Sequence, residues 1–120
     1  MRKILALLFL FADVAQATEM RITVFGEANG EVVIDLLEDV APLHVERITK
    51  IASAGEYNNV VFHRVIDGYM AQTGDVEYGE AGGNLRYAGR GGSSLPDLPA
   101  EFSDIPYDRG VVGMARTKDP

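Results

Sequence analysis

The sequence contains no cysteine. A disulfide framework and a lipoprotein attachment site are therefore both excluded. The fold also carries no redox requirement, even in an oxidising compartment. Cations are scarce as well: 11 Lys and Arg stand against 18 Asp and Glu, for a net charge of −7. Nucleic acid is a poor partner for such a chain, because phosphate contacts need clustered Lys and Arg. The longest apolar run, Ile4 to Ala12, falls well short of the roughly 20 residues that a bilayer-spanning helix requires. What remains is ordinary globular material, 47% hydrophobic and 24% charged over 120 residues, enough for one small domain.

The first 17 residues stand apart. Arg2 and Lys3 form a positive start, Ile4 to Ala12 an apolar centre, and Ala15-Gln16-Ala17 a small-x-small cleavage site. We expect residues 1–17 to be a signal peptide cut after Ala17, leaving a mature chain from Thr18. That places the protein in the periplasm or outside the cell, with no membrane attachment after cleavage. An uncleaved helix is the competing reading, and Asp13 is atypical so close behind the apolar run. The three-part order favours the signal peptide.

Two apolar-rich runs follow, Arg21 to Phe25 and Glu31 to Leu37, separated by a segment ending in Asn29-Gly30. The spacing predicts an antiparallel hairpin. Pro42 to Ala54 predicts a helix, with Pro42 at its first position and Gly55 as a left-handed cap. Val45, Ile48, Ile51 and Ala52 make its core-facing stripe. His44 and Glu46 are expected to face water. His44 has Ile48 four residues on, so it lacks a helical metal-ligand partner. Val76 to Leu98 is a long glycine-rich segment, and loops of this length are often functional. Within it, Gly89-Arg90-Gly91-Gly92-Ser93-Ser94 looks superficially like a phosphate cradle. It lacks the Walker lysine and a helix directly after it, which argues against nucleotide binding.

The chain is organised around Tyr57 to Asp75. Val60 to Ile66 is β-branched and aromatic, Asp67-Gly68 signals a turn, and Tyr69 to Thr73 reads as the return strand. Arg64 is the oddity. Alternation puts it on one face with Phe62 and Ile66, where a guanidinium without partners is costly. It lies either at the rim of an apolar surface or against a polar neighbour. A two-residue loop at Asp67-Gly68 would set Arg64 opposite Ala71. A three-residue loop from Ile66 to Gly68 would set it opposite Met70, with Gly68 in the left-handed region and Gln72 facing Phe62. The second version is preferred, because it puts Arg64, Met70 and Gln72 on one face.

The run Tyr57-x-x-Val60-x-Phe62-His63-Arg64-Val65-Ile66-x-x-Tyr69-Met70-x-Gln72-Thr73-Gly74 resembles the signature hairpin of the cyclophilins, the peptidyl-prolyl cis-trans isomerases. The resemblance covers Met20 to Pro120, about the first two thirds of the usual domain. It implies a mainly β fold, a cyclophilin-like antiparallel β-barrel with a capping α-helix, here incomplete. A barrel cut at this point leaves strand edges open, and its independent stability is in question. Tyr69 stands where the family usually has Phe. Pro99-Ala100-Glu101-Phe102 resembles the family's acidic-Phe element. Gly110 to Arg116 resembles the strand that forms the far wall of the peptide groove, and some members have Asn where this chain has Arg116.

The resemblance implies a catalytic Arg64 and a substrate surface of Tyr69, Met70, Gln72, Gly82, Met114, Ala115 and Arg116, with Gly82-Gly83 bordering the groove. It implies no metal and no cofactor. The partners it implies are proline-containing polypeptides and, as candidates, cyclosporin-like ligands, acting on a monomer. The chemistry suits those residues. A peptide bond resists rotation by about 18–20 kcal/mol through amide resonance. A catalyst must favour the twisted amide, and each ~1.4 kcal/mol of preference for it gives tenfold in rate. A permanently charged Arg64 can donate to the pyramidal proline nitrogen. Met70 would line a proline pocket, Tyr69 would add an aromatic wall, and Gln72 would hold the guanidinium or a substrate carbonyl. His63 alternates to the face opposite Arg64 and reads as a structural hydrogen-bonder, not a general base. The competing readings are Arg64 as a solubility residue with Tyr69 and Met70 as plain core, a non-catalytic module that binds proline peptides, and an inactive fragment.

Overall fold

The computed structural model describes residues 18–118. The expected signal peptide, 1–17, lies outside the described residues.

Two strands open the fold, β1 (Thr18–Val24) and β2 (Gly30–Leu36). They pair antiparallel from Thr18 opposite Leu36 to Val24 opposite Gly30. Alternation sorts the residues as the pleat requires. Met20 and Ile22 lie half-buried opposite Ile34 and Val32, and Glu19, Arg21 and Thr23 face solvent. The connection, 25–29, is closed by Asn29. Its side-chain oxygen accepts from the Gly26 N–H at 3.2 Å, and its amide donates to the Gly26 carbonyl at 3.1 Å. The hairpin expected at Asn29-Gly30 is present, with its strands beginning earlier than the apolar runs suggest.

The helix α1 spans Pro42–Ser53. Gly55, at φ +76°, ends it. The Gly55 N–H donates to the Ala52 carbonyl at 3.0 Å, and the Glu56 N–H to the Ile51 carbonyl at 3.2 Å. Those two bonds are the Schellman pattern, in which a left-handed glycine turns two N–H groups back onto orphan carbonyls. Ile51 is the only buried hydrophobic side chain among the described residues, at 4% exposure. Val45 and Ile48 are half-buried beside it, as the stripe predicts. Ala52 is a correction, being exposed. It lines an open cleft between α1 and the first hairpin, with Met20, Leu36 and Ile48.

The second hairpin comprises β3 (Phe62–Ile66) and β4 (Met70–Thr73), antiparallel. Just before β3, the chain also pairs outward. The Val61 N–H donates to the Gly79 carbonyl at 2.8 Å, and the Ala81 N–H to the Asn59 carbonyl at 2.7 Å. A single 3-10 turn, Leu85–Tyr87, follows in the glycine-rich segment, with the Asn84 side chain accepting from the Arg86 N–H. The described chain is therefore mainly strand with one helix, and its two two-stranded sheets do not close into a barrel. Residues 110–116, expected as a strand, form none. A strand exists by pairing, and no segment among the described residues offers that run a ladder. No helix of the described residues is long and apolar enough to cross a membrane.

Candidate functional site

The β3–β4 hairpin differs from the expected one by a single bulge. Ile66 pairs with Met70, Val65 with Ala71 and Arg64 with Gln72, but Phe62 pairs with Thr73. One residue, His63, is extra on β3. The loop has three residues, as preferred from sequence, but they are Asp67, Gly68 and Tyr69. The Tyr69 N–H donates to the Ile66 carbonyl at 3.0 Å, and Gly68 sits at φ +71°. A positive φ at the third position of such a turn strongly favours glycine.

The consequence for Arg64 is direct. It faces Gln72 across the ladder, not Met70 or Ala71, and Met70 lies diagonal to it. Directly opposed side chains in an antiparallel pair have Cβ atoms about 4.5–5.5 Å apart, so the Arg64 and Gln72 side chains leave the sheet side by side. Phe62 leaves this register and no longer opposes Gln72. The Arg64 side chain is exposed and makes no hydrogen bond or ion pair among the described residues. Met70 and Gln72 are half-buried, and Tyr69 is 78% exposed at the hairpin tip.

Two residues after β4 comes Asp75, a carboxylate only 4% exposed. Its Oδ1 accepts from the N–H groups of Glu77 at 3.0 Å and Tyr78 at 2.9 Å. Its Oδ2 accepts from those of Gly89 at 2.7 Å and Gly91 at 3.0 Å. Burial alone would raise this carboxyl, but the four backbone donors outweigh it and hold Asp75 below the ordinary value of 3.8. The glycines allow the close approach. A Cβ on Gly79 would sit 2.5 Å from the Asp75 carbonyl oxygen, and one on Gly91 2.7 Å from Oδ1. The segment that looked like a phosphate cradle does cradle an anion, and that anion is the chain's own side chain.

The same segment reaches the back of β3. A Cβ on Gly89 would lie 2.9 Å from Cδ2 of His63 and 3.0 Å from its Nε2. His63 packs here without polar contact. Its Nδ1 is buried with no hydrogen-bond partner among the described residues, which corrects the structural hydrogen-bonder expected from sequence.

Glu101 organises a second anchor. Its carboxylate accepts from the Leu43 N–H at 3.2 Å and the His44 N–H at 2.8 Å, and it pairs with His44 Nδ1 at 2.5 Å. Nearby, Arg47 Nη1 donates to the Pro96 carbonyl at 2.7 Å. A carboxylate at a helix N-terminus satisfies orphan donors and complements the helix dipole. Desolvation would raise Glu101, but His44 and the two N–H groups prevail and lower it. His44 therefore does not face water as expected.

A family model described as cyclophilin type peptidyl-prolyl cis-trans isomerase/CLD matches residues 19–120. The chain belongs to the cyclophilin-type isomerase family. It is 53% identical over 94 residues to a "Probable peptidyl-prolyl cis-trans isomerase" of Brucella suis, covering 77% of this chain and 48% of that protein. It is 32% identical over 96 residues to "Peptidyl-prolyl cis-trans isomerase B" of Escherichia coli, covering 80% of this chain and 54% of that protein. The chain thus spans about half the length of these curated relatives. No solved structure matches it significantly.

Of the residues that the cyclophilin resemblance nominates, the hairpin gathers Arg64, Tyr69, Met70 and Gln72. Gly82 lies in an exposed turn at φ +84° with open space around its Cα. Met114 and Ala115 are exposed on an unpaired segment. Arg116 turns to Phe102, its guanidinium 5.0 Å from the ring centre, and donates to the Thr117 carbonyl at 3.3 Å. Asp75 and Glu101 went unassigned from sequence. The signal for Asp75 was present in part: an acid at a strand end, followed by glycines that leave their N–H groups free.

Proposed function

We propose that this chain belongs to a peptidyl-prolyl cis-trans isomerase acting on X–Pro bonds of exported polypeptides, with Arg64 as the catalytic group. The observation that carries the reading is the pairing of an exposed, uncommitted guanidinium with Gln72 directly across the ladder and Met70 on the diagonal. A cation already locked in an ion pair would have to break it before meeting substrate. Arg64 has none to break. A bound peptide would exclude water from the hairpin face, and the guanidinium would then donate to the proline nitrogen as it pyramidalises. Gln72, which makes no hydrogen bond to Arg64, is free to hold a substrate carbonyl. Met70 would receive the proline ring, and Tyr69 would flank it from the hairpin tip. Gly82 and the backbone of Met114 to Arg116 would border the peptide. The exported setting rests on the Arg2–Ala17 leader and would place the mature protein in the periplasm or outside the cell.

The test is proline-peptide exchange followed by NMR on the full-length protein. Removing a donor aimed at a transition-state charge typically costs about 10²–10³ in rate. Arg64→Ala should lose acceleration on that scale while retaining peptide binding. Unchanged acceleration in Arg64→Ala rules the mechanism out. Binding without acceleration in the wild type would make the protein a peptide-gripping module. Amino-terminal sequencing of the secreted fraction tests the leader, and Thr18 is the expected first residue.

A further inference from the structure

We propose that Asp75 is a positioning residue for Arg64, acting through the Gly89 backbone and the His63 ring. The proposal rests on the isomerase reading and names the part of the chain that sets its catalytic geometry.

Each link is on one side of the hairpin or the other. The Asp75 carboxylate takes the N–H groups of Gly89 and Gly91, at 2.7 and 3.0 Å, and so ties the far end of the glycine-rich segment to the end of β4. Gly89, held there at φ +96°, lies against the His63 ring with no room for a side chain between them. His63 is the extra residue of the bulge, the place where the register shifts between Phe62 and Arg64. The Asp67–Tyr69 turn sets Arg64 opposite Gln72, and the bulge begins at the next residue back, beyond which Phe62 takes Thr73. A bulge re-aims the side chains next to it. The clamp therefore braces the backbone irregularity that adjoins Arg64, and with it the direction in which that side chain leaves β3. Asp75 touches no substrate in this scheme. Its buried carboxylate keeps a loop seated, the loop keeps a ring seated, and the ring keeps the bend of β3 beside Arg64.

The experiment compares Asp75→Asn and His63→Ala in the full-length protein. An asparagine at position 75 offers one acceptor oxygen and turns an NH2 toward donors. Alanine at position 63 leaves the clamp whole and removes the ring it presses on. Sub-ångström to ångström misplacement of a catalytic group costs up to about 10²-fold, so we expect kcat to fall about tenfold in each variant with KM within about twofold. The double variant should fall no further than the worse single, because both cut one chain of contacts. Backbone amide shifts of Arg64 and Gln72 should move in both, and Gly89 and Gly91 amide exchange should speed only in Asp75→Asn. Wild-type kcat in His63→Ala overturns the proposal, even if Asp75→Asn proves too unstable to assay. Multiplicative losses in the double variant overturn it too. Arg64→Ala keeps the two readings apart. If Arg64→Ala is inactive and the positioning variants are not, the isomerase reading stands and the clamp is only structural.

Discussion

Gly91 and Gly92 are adjacent, yet alanine at the two positions should have opposite effects. A Cβ on Gly91 would sit 2.7 Å from each of three atoms: Asp75 Oδ1, Glu77 Cβ and Tyr78 Cδ2. All three belong to the clamp, and moving any of them strains it. Overpacking of this kind costs about 1–3 kcal/mol. Relief by displacing Asp75 weakens its bond to the Gly91 N–H, and a hydrogen bond to a charged group is worth about 1.5–3 kcal/mol. Each route relieves the other, so the terms do not add fully, and a loss of about 3 kcal/mol is expected. Gly92 has nothing within 4 Å of a Cβ, and its φ lies outside the left-handed range. Alanine there keeps the N–H and removes unfolded-state freedom, a gain of about 0.4–1 kcal/mol. Urea unfolding of the full-length protein at neutral pH, followed by circular dichroism, measures both. Gly91→Ala and Gly92→Ala within about 0.5 kcal/mol of each other, the scatter of ordinary surface substitutions, would refute the cradle.

Asp75 also makes a pH prediction. Its folded pKa lies below the ordinary 3.8, so its contribution to stability is complete above that value and is lost as pH falls through the lower folded one. Acid titration of stability should show this loss in the wild type and lack it in Asp75→Asn. Glu101 is lowered in the same sense, so its hold on α1 should persist through neutral pH and fail in acid. Glu101→Gln should speed amide exchange at Leu43 and His44 at neutral pH, and unaltered rates there would contradict the cap. Gly55→Ala meets only the Asn58 side-chain nitrogen, at 3.4 Å, so its effect is mainly backbone strain. A left-handed non-glycine residue costs about 1–2 kcal/mol, partly offset by unfolded-state entropy, and a net loss of about 1 kcal/mol should appear in a urea melt.

The elements that sequence exposes here are those held by near neighbours. Pro42 and Gly55 bracket α1 because the bonds that begin and end a helix span only a few residues. The first hairpin is visible for the same reason, since Asn29 reaches only to Gly26. The anchors that escaped are side chain to backbone and remote. Glu101 caps α1 by reaching Leu43, 58 residues earlier, and Asp75 reaches Gly91 across 16. Neither leaves a periodic trace. A carboxylate seeking N–H donors looks, in sequence, like any other acid in a loop. The glycine run resembled a phosphate cradle only superficially, and its N–H groups, which suit a phosphate or an internal aspartate equally well, go to Asp75.

Arg64 shows how a local rule can reach the right face through the wrong pairing. Strict alternation put Phe62, Arg64 and Ile66 on one face, and only a chosen loop brought Gln72 onto it. The structure keeps Arg64, Ile66, Met70 and Gln72 in one register and removes Phe62. A period-2 argument tolerates no insertion, since one extra residue flips everything beyond it. Here the loop moved by one residue, which shifts the register by two and keeps the face: Arg64 opposes Gln72 instead of Met70, and the bulge, beyond Arg64, moves only Phe62. The hairpin's register on the loop side of the bulge is fixed by the Asp67–Tyr69 turn, and on the other side by the Thr73 hydroxyl, which donates to the Val61 carbonyl at 2.9 Å. The two halves are out of step by His63 alone. A bulged residue with its ring pressed against a clamped glycine is the cheapest place to store that mismatch. Deleting His63 should therefore leave Arg64 opposite Gln72 and Phe62 opposite Thr73 as consecutive pairs of an unbroken ladder, while removing the ring that lies against Gly89; cross-strand amide contacts that place another residue opposite Gln72 would contradict this register.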